Sequence, residues 1–98
     1  MNQYMIDIHL PESFSDEFIA LIPSQRMVIN EMMVQGVITN YALSLDRKKL
    51  WVIMNAENEA DAEISLCKFP LISYMRYTIH ELMFHNSAQV VIPRFSLN

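Results

Sequence analysis

The sequence predicts an α+β fold whose elements follow one another as β-α-β-β-α-β, with one short strand after them. Three observations carry that prediction. Apolar and polar residues alternate with period two over residues 4–10, 37–45 and 75–82, and the apolar run 50–54 returns after a turn as a partner strand. Between the first two runs, and between the third and fourth, apolar residues recur at helical spacing. Pro11, Gly36 and Pro70 fall at the joins, where a residue that cannot continue the preceding element is expected.

The first strand places Tyr4, Ile6, Ile8 and Leu10 on one face and Met5, Asp7 and His9 on the other. After Pro11, Ser13 with Asp16 three residues on is read as a helix cap, the Ser13 hydroxyl accepting a free backbone N–H. Phe18, Ile22, Ile29 and Met32 form the apolar stripe of the helix, which closes at Gly36. Pro23 lacks a donor and crowds the carbonyl four residues back, so this element is bent or broken, with a second start near Pro23 as the alternative.

Residues 37–45 and 50–54 pair as a hairpin about the solvated tip Asp46-Arg47-Lys48-Lys49. Asn58 caps the second helix, whose positive end is loaded with acid by Glu59, Asp61 and Glu63 and whose negative end carries Lys68. Ala60, Ile64 and Cys67 are read as its buried stripe. The fourth strand spans 75–82, and 88–92 is a further short strand beyond the loop at His85-Asn86-Ser87. This order is the ferredoxin-like, or split β-α-β, arrangement, with two helices on one face of a four-stranded antiparallel sheet.

Ninety-eight residues make one domain, 1–98, with no internal linker, repeat or low-complexity segment. Apolar residues are 52% and charged ones 18%, more apolar surface than so small a core absorbs, which points to a homo-oligomer, a dimer or higher, closed across the uncovered sheet face. The strand at 88–92 would then protect an open edge. A net charge of −4 and scattered cations exclude a phosphate-tracking stripe, so no nucleic acid is expected. No apolar run is long enough to span a membrane. The lone Cys67 excludes an internal disulfide and a cysteine zinc cluster, and a reducing, cytoplasmic location fits. A single Gly argues against a glycine-rich phosphate loop, and no close His-x-x-x-His spacing supports a metal. Eight Met residues are read as core and interface packing.

From Cys67 the chain runs Cys67-Lys68-Phe69-Pro70-Leu71-Ile72-Ser73-Tyr74-Met75, and later Glu81-Leu82-Met83-Phe84-His85-Asn86-Ser87. These segments resemble the muconolactone δ-isomerase family, in which a Leu-Pro-Leu-Phe-Pro-Tyr-Met-like run leads into the last strand and a Leu-x-x-His-Pro-Ser-like turn follows it. Pro70, Leu71, Tyr74, Met75, Leu82, His85 and Ser87 match in identity and spacing, and Gly36 falls in register. Identities concentrate in the last third, while the element order fits nearly the whole chain. The resemblance implies a dimeric α+β barrel, assembly into bacterial homo-oligomers, and isomerisation of a small lactone or acidic metabolite without metal or cofactor.

In this sequence the family's Lys- and Glu-rich stretch of the first helix is Ser24-Gln25-Arg26-Met27, its Trp-Arg-His-like run is Ile38-Thr39-Asn40, and Ser73 and Asn86 stand for prolines. Turn-shaping residues are kept and ionisable ones replaced.

Shifting a double bond beside a carbonyl needs a base for the proton and a donor for the enolate oxygen. Asp7, His80 and His85 are the candidate catalytic residues, His85 by its match to the family. Arg26, Tyr74 and His9 are the candidate substrate-binding ones. In the ferredoxin-like strand order the first and fourth strands are neighbours, which brings Asp7, His9 and His80 toward one face. Three functions therefore stand side by side: an isomerase-like enzyme, a non-catalytic ligand-binding or structural oligomer, and a cofactor-free monooxygenase on the same fold. A pocket holding Arg26 with a His and a carboxylate favours the enzyme, and a pocket filled by Met and Phe favours the second.

Overall fold

The computed structural model describes residues 1–88. Four strands, β1 (Asn2–His9), β2 (Ile38–Leu43), β3 (Lys49–Ala56) and β4 (Arg76–Leu82), form one sheet in the order β2-β3-β1-β4. Every pairing is antiparallel. The helices are α1 (Asp16–Val34) and α2 (Glu59–Leu66), with a 3-10 turn at Ile72–Tyr74 before β4. This is the ferredoxin-like order. The strand expected at 88–92 lies, apart from Ala88, outside the described residues.

The alternation of β1 sorts its side chains as the sequence predicts. Tyr4, Ile6 and Ile8 are buried under the helices, as are Leu50, Val52 and Met54 from β3. Residues directly opposite share a face, so Asp7 lies beside Trp51 and Thr78 on the other side, Met5 beside Ile53 and His80, and His9 beside Lys49 and Arg76. The β2–β3 register shifts between Ile38 and Asn40, a bulge that leaves Thr39 to donate its hydroxyl to the Ile53 carbonyl at 3.2 Å.

Several helix ends differ from expectation. Ser15, not Ser13, caps α1: its backbone is extended and its hydroxyl accepts the Phe18 N–H at 3.1 Å. Asp16 and Glu17 then occupy the positive first turn, and Phe14 stacks on Phe18 with ring centroids 4.0 Å apart, fixing how the chain approaches the helix. Pro23 breaks nothing: α1 runs unbroken through it, with the ring on the exposed side. The C-terminus is a Schellman closure. Gly36 has φ +77°, the Val37 N–H reaches the Met32 carbonyl at 2.9 Å, and the Gly36 N–H reaches Met33 at 3.1 Å.

The buried stripe of α2 is a correction. Asn58 does cap this helix, accepting the Asp61 N–H at 2.8 Å. Ala60, Ile64 and Cys67, however, are exposed, and the helix buries Ala62 and Leu66 completely. Two positions of phase separate the stripes, about 200° of rotation. Leu66 and the following Phe69, also fully buried, continue one line into the core, and that longer apolar line outweighs Ile64.

Candidate functional site

A cavity of about 480 Å³ opens between the N-terminal half of α1 and the β2 edge of the sheet. That volume falls in the range of small-ligand sites, whereas a second hollow near Glu31 and Lys68, about 280 Å³, falls below it. Most of the wall is apolar. Phe14 and Phe18 come from the cap of α1, Ile22 from its next turn, Leu50 from β3, and Leu71 and Met75 from the segment leading into β4.

Among the described residues, four polar ones line the same space: Gln25, Arg26, Tyr41 and Arg47. Gln25 belongs to the buried stripe of α1, occupying the step between Ile22 and Ile29, and is 3% exposed. A buried amide needs partners on both ends. Its Oε1 accepts the Leu71 N–H at 3.1 Å, and its Nε2 donates to the Tyr41 hydroxyl at 3.4 Å. Burial pushes the Tyr41 hydroxyl above its usual range, partly offset by that Gln25 bond.

Arg26 and Arg47 are exposed and, among the described residues, supply the only charges of the lining. Among the described residues Arg26 makes no ion pair. Arg47 sits in the β2–β3 turn with φ 64°, a left-handed conformation that disfavours a side chain. The turn is held around it. The Arg47 N–H reaches the Ser44 carbonyl at 3.0 Å, and Asp46 accepts from the Ser44 hydroxyl at 2.7 Å and from the Lys48 N–H at 3.0 Å. Those bonds, the Ser44 hydroxyl foremost, hold the Asp46 carboxyl below its usual range.

The residues singled out from sequence are placed differently from one another. Arg26 lines the cavity. Tyr74 packs behind it, edge-on to Phe18 at 5.3 Å between centroids. Asp7, His9 and His80 share the uncovered face of the sheet, as the strand order predicts. There Lys49 pairs with Asp7 and comes within 3.4 Å of the His9 ring nitrogen. The Lys49 hydrogen bond is the chief reason the Asp7 carboxyl lies below its usual range, with the Lys49, His9 and His80 charges adding to it. A carboxylate so stabilised is a weaker base. His85 follows β4, half-buried, and is outside the cavity lining. The described residues hold no group of three His, Cys, Asp or Glu that could bind a metal ion.

Sequence reasoning missed Gln25 and Arg47. The signal for Gln25 was present: a single polar residue interrupts an apolar stripe spaced 18, 22, 25, 29, 32. For Arg47 no signal existed, because an exposed basic turn reads as solvated whatever lies beneath it.

No protein-family profile and no curated protein sequence matches the chain. Among solved structures it is similar to muconolactone isomerase, with a TM-score of 0.68 and 12% identity over 87% of this chain and 92% of that one. The chain therefore has the fold of muconolactone isomerase, an α+β fold with a four-stranded antiparallel sheet and two helices.

Proposed function

We propose that the chain binds a small organic acid, its apolar body in the cavity under α1 and its carboxylate on Arg26 and Arg47. One observation carries this reading: an apolar cavity of ligand size whose only charges, among the described residues, are two guanidinium groups. Guanidinium is suited to carboxylates because its planar donor fork matches the two oxygens. The lining contains no carboxylate and no imidazole among the described residues, so binding is better supported than proton transfer. Titration calorimetry with muconolactone and simple unsaturated acids tests it. Wild-type protein binds them, and the Arg26→Ala, Arg47→Ala double variant loses at least tenfold in affinity, the scale of a lost charge-assisted contact, about 1.4 kcal/mol. Equal affinities would sink the reading.

The isomerase reading rests on the likeness of fold to muconolactone isomerase. Its base would be Asp7, His80 or His85, brought to the ligand from beyond the lining described above. Absence of muconolactone turnover by the purified protein removes it.

Assembly as a homo-oligomer across the uncovered sheet face is part of the proposal. Met5, Trp51 and Ile53 stand there, an apolar set that a second copy would bury. Light scattering that finds a stable monomer at micromolar concentration refutes it. No helix among the described residues is long and apolar enough to cross a membrane.

A further inference from the structure

The Gln25–Tyr41 pair has a direction that follows from chemistry alone. A backbone N–H only donates, so the Gln25 atom facing Leu71 is its oxygen, and the amide is fixed rather than flippable. The other end of the amide, Nε2, only donates, so the Tyr41 oxygen accepts there. The Tyr41 hydroxyl still carries its own hydrogen, as any tyrosine does near neutral pH, and burial favours that neutral form further. Among the described residues no acceptor takes that hydrogen. Both residues line the cavity. The hydroxyl is thus a donor held by a buried amide beside empty, mostly apolar space.

We infer that Tyr41 donates this hydrogen bond to a second oxygen of the ligand, a ketone carbonyl, and that Gln25 is the positioning residue that holds the donor in place. The ligand class narrows from small acids to oxo acids: a carboxylate for Arg26 and Arg47, an apolar span, and a neutral carbonyl for Tyr41. This deepens the acid-binding reading and rests on it. A site built around a buried donor discriminates against analogues that lack the acceptor, since the donor is then left unpaired.

The test uses two oxo acids, 4-oxopentanoate and 5-oxohexanoate, beside their carbonyl-free counterparts, 4-methylpentanoate and 5-methylhexanoate. Affinities are measured by calorimetry for the wild-type chain, Tyr41→Phe and Gln25→Glu, each first shown folded by near-UV circular dichroism. Tyr41→Phe removes the donor and leaves the ring. Gln25→Glu keeps an acceptor for Leu71 but also accepts from the Tyr41 hydroxyl, turning its hydrogen away from the cavity. For the better-fitting oxo acid, the ratio of its affinity to that of its counterpart falls about tenfold in Tyr41→Phe, the worth of one neutral hydrogen bond. The ratio falls likewise in Gln25→Glu, while the counterpart's affinity stays within about twofold in Tyr41→Phe. A merely structural role for Gln25 would weaken both ligands together and leave the ratio unmoved. Binding of all four acids with a ratio unchanged by Tyr41→Phe overturns the carbonyl assignment and leaves the acid-binding reading standing. Binding of none of them overturns both. If Gln25→Glu does not fold, Tyr41→Phe alone decides the donor assignment.

Discussion

Two sets of polar side chains lie on opposite sides of the sheet, and they differ in what they enclose. On the uncovered face, Asp7, His9, Lys49 and His80 are brought together by strand register alone, and Lys49 pairs with Asp7 and approaches His9. On the helix side, Gln25, Arg26, Tyr41 and Arg47 come from a helix, a strand and a turn, and they surround a cavity. A cluster of ionisable groups is therefore a poor guide to a site when it encloses no space. The more informative mark is a polar residue buried where an apolar one would pack.

The comparison predicts an ordering of energetic effects. The helix side carries the core, so truncation there is the most damaging. Phe69→Ala removes a ring that is 1% exposed and joins the buried line of α2 to the sheet. It should cost about 3–5 kcal/mol in urea unfolding, from lost burial and the cavity left behind. A cost under about 1 kcal/mol would show that this end of the core collapses freely and would undo the claim that α2 is held by Ala62, Leu66 and Phe69.

Gln25→Leu comes next. The substitution fits the stripe in shape but strips the Leu71 N–H of its acceptor in a buried position. Leaving that donor unsatisfied costs about 1–3 kcal/mol, partly offset by the added apolar burial. A stabilised variant would mean that the amide is kept for the cavity alone and has no part in holding the loop before β4.

The contrast between the two sides also explains what could be read without a structure. Strand faces were legible because period two leaves no choice of phase: once Tyr4, Ile6 and Ile8 point inward, Asp7 and His9 point outward. Asn58 was legible because a cap acts within one turn. The phase of α2 was not, because eight residues with apolar groups at several angles define no stripe until tertiary packing selects Leu66 over Ile64. Ser13 and Ser15 compete as caps in the same way, and Phe14 stacking on Phe18 accompanies the later start. The cavity is lined by residues from α1, β2, the β2–β3 turn, β3 and the segment before β4, and no local pattern encodes that convergence.

On the uncovered face the expected effect is smaller. In the single subunit the Asp7–Lys49 pair is partly exposed, so Asp7→Asn costs less than about 1 kcal/mol near neutral pH. Its folded-state pKa is depressed below the reference value of 3.8, so the stabilisation is present above that pH and is lost as pH falls through the lower folded-state value. Urea midpoints of wild type and Asp7→Asn should differ at pH 6 and converge under strong acid. A much larger difference that grows with protein concentration would place the pair inside a subunit interface, where removing one partner of a buried pair is costly.

The smallest effect has the opposite sign. Arg47 holds a left-handed backbone at φ 64°, where a Cβ costs about 1–2 kcal/mol and glycine does not. Glycine gives back part of that gain through the greater freedom of the unfolded chain, so Arg47→Gly should stabilise the protein by a net amount on the order of 0.5 kcal/mol. The same change removes one of the two cations from the cavity lining. Thermal unfolding and organic-acid binding should therefore move in opposite directions, the midpoint up by a few degrees at most and the affinity down severalfold. Unfavourable backbone geometry retained beside a cavity is expected where the side chain serves the ligand. If the variant is more stable and binds acids as tightly as before, Arg47 is only a turn residue, and the carboxylate rests on Arg26 alone.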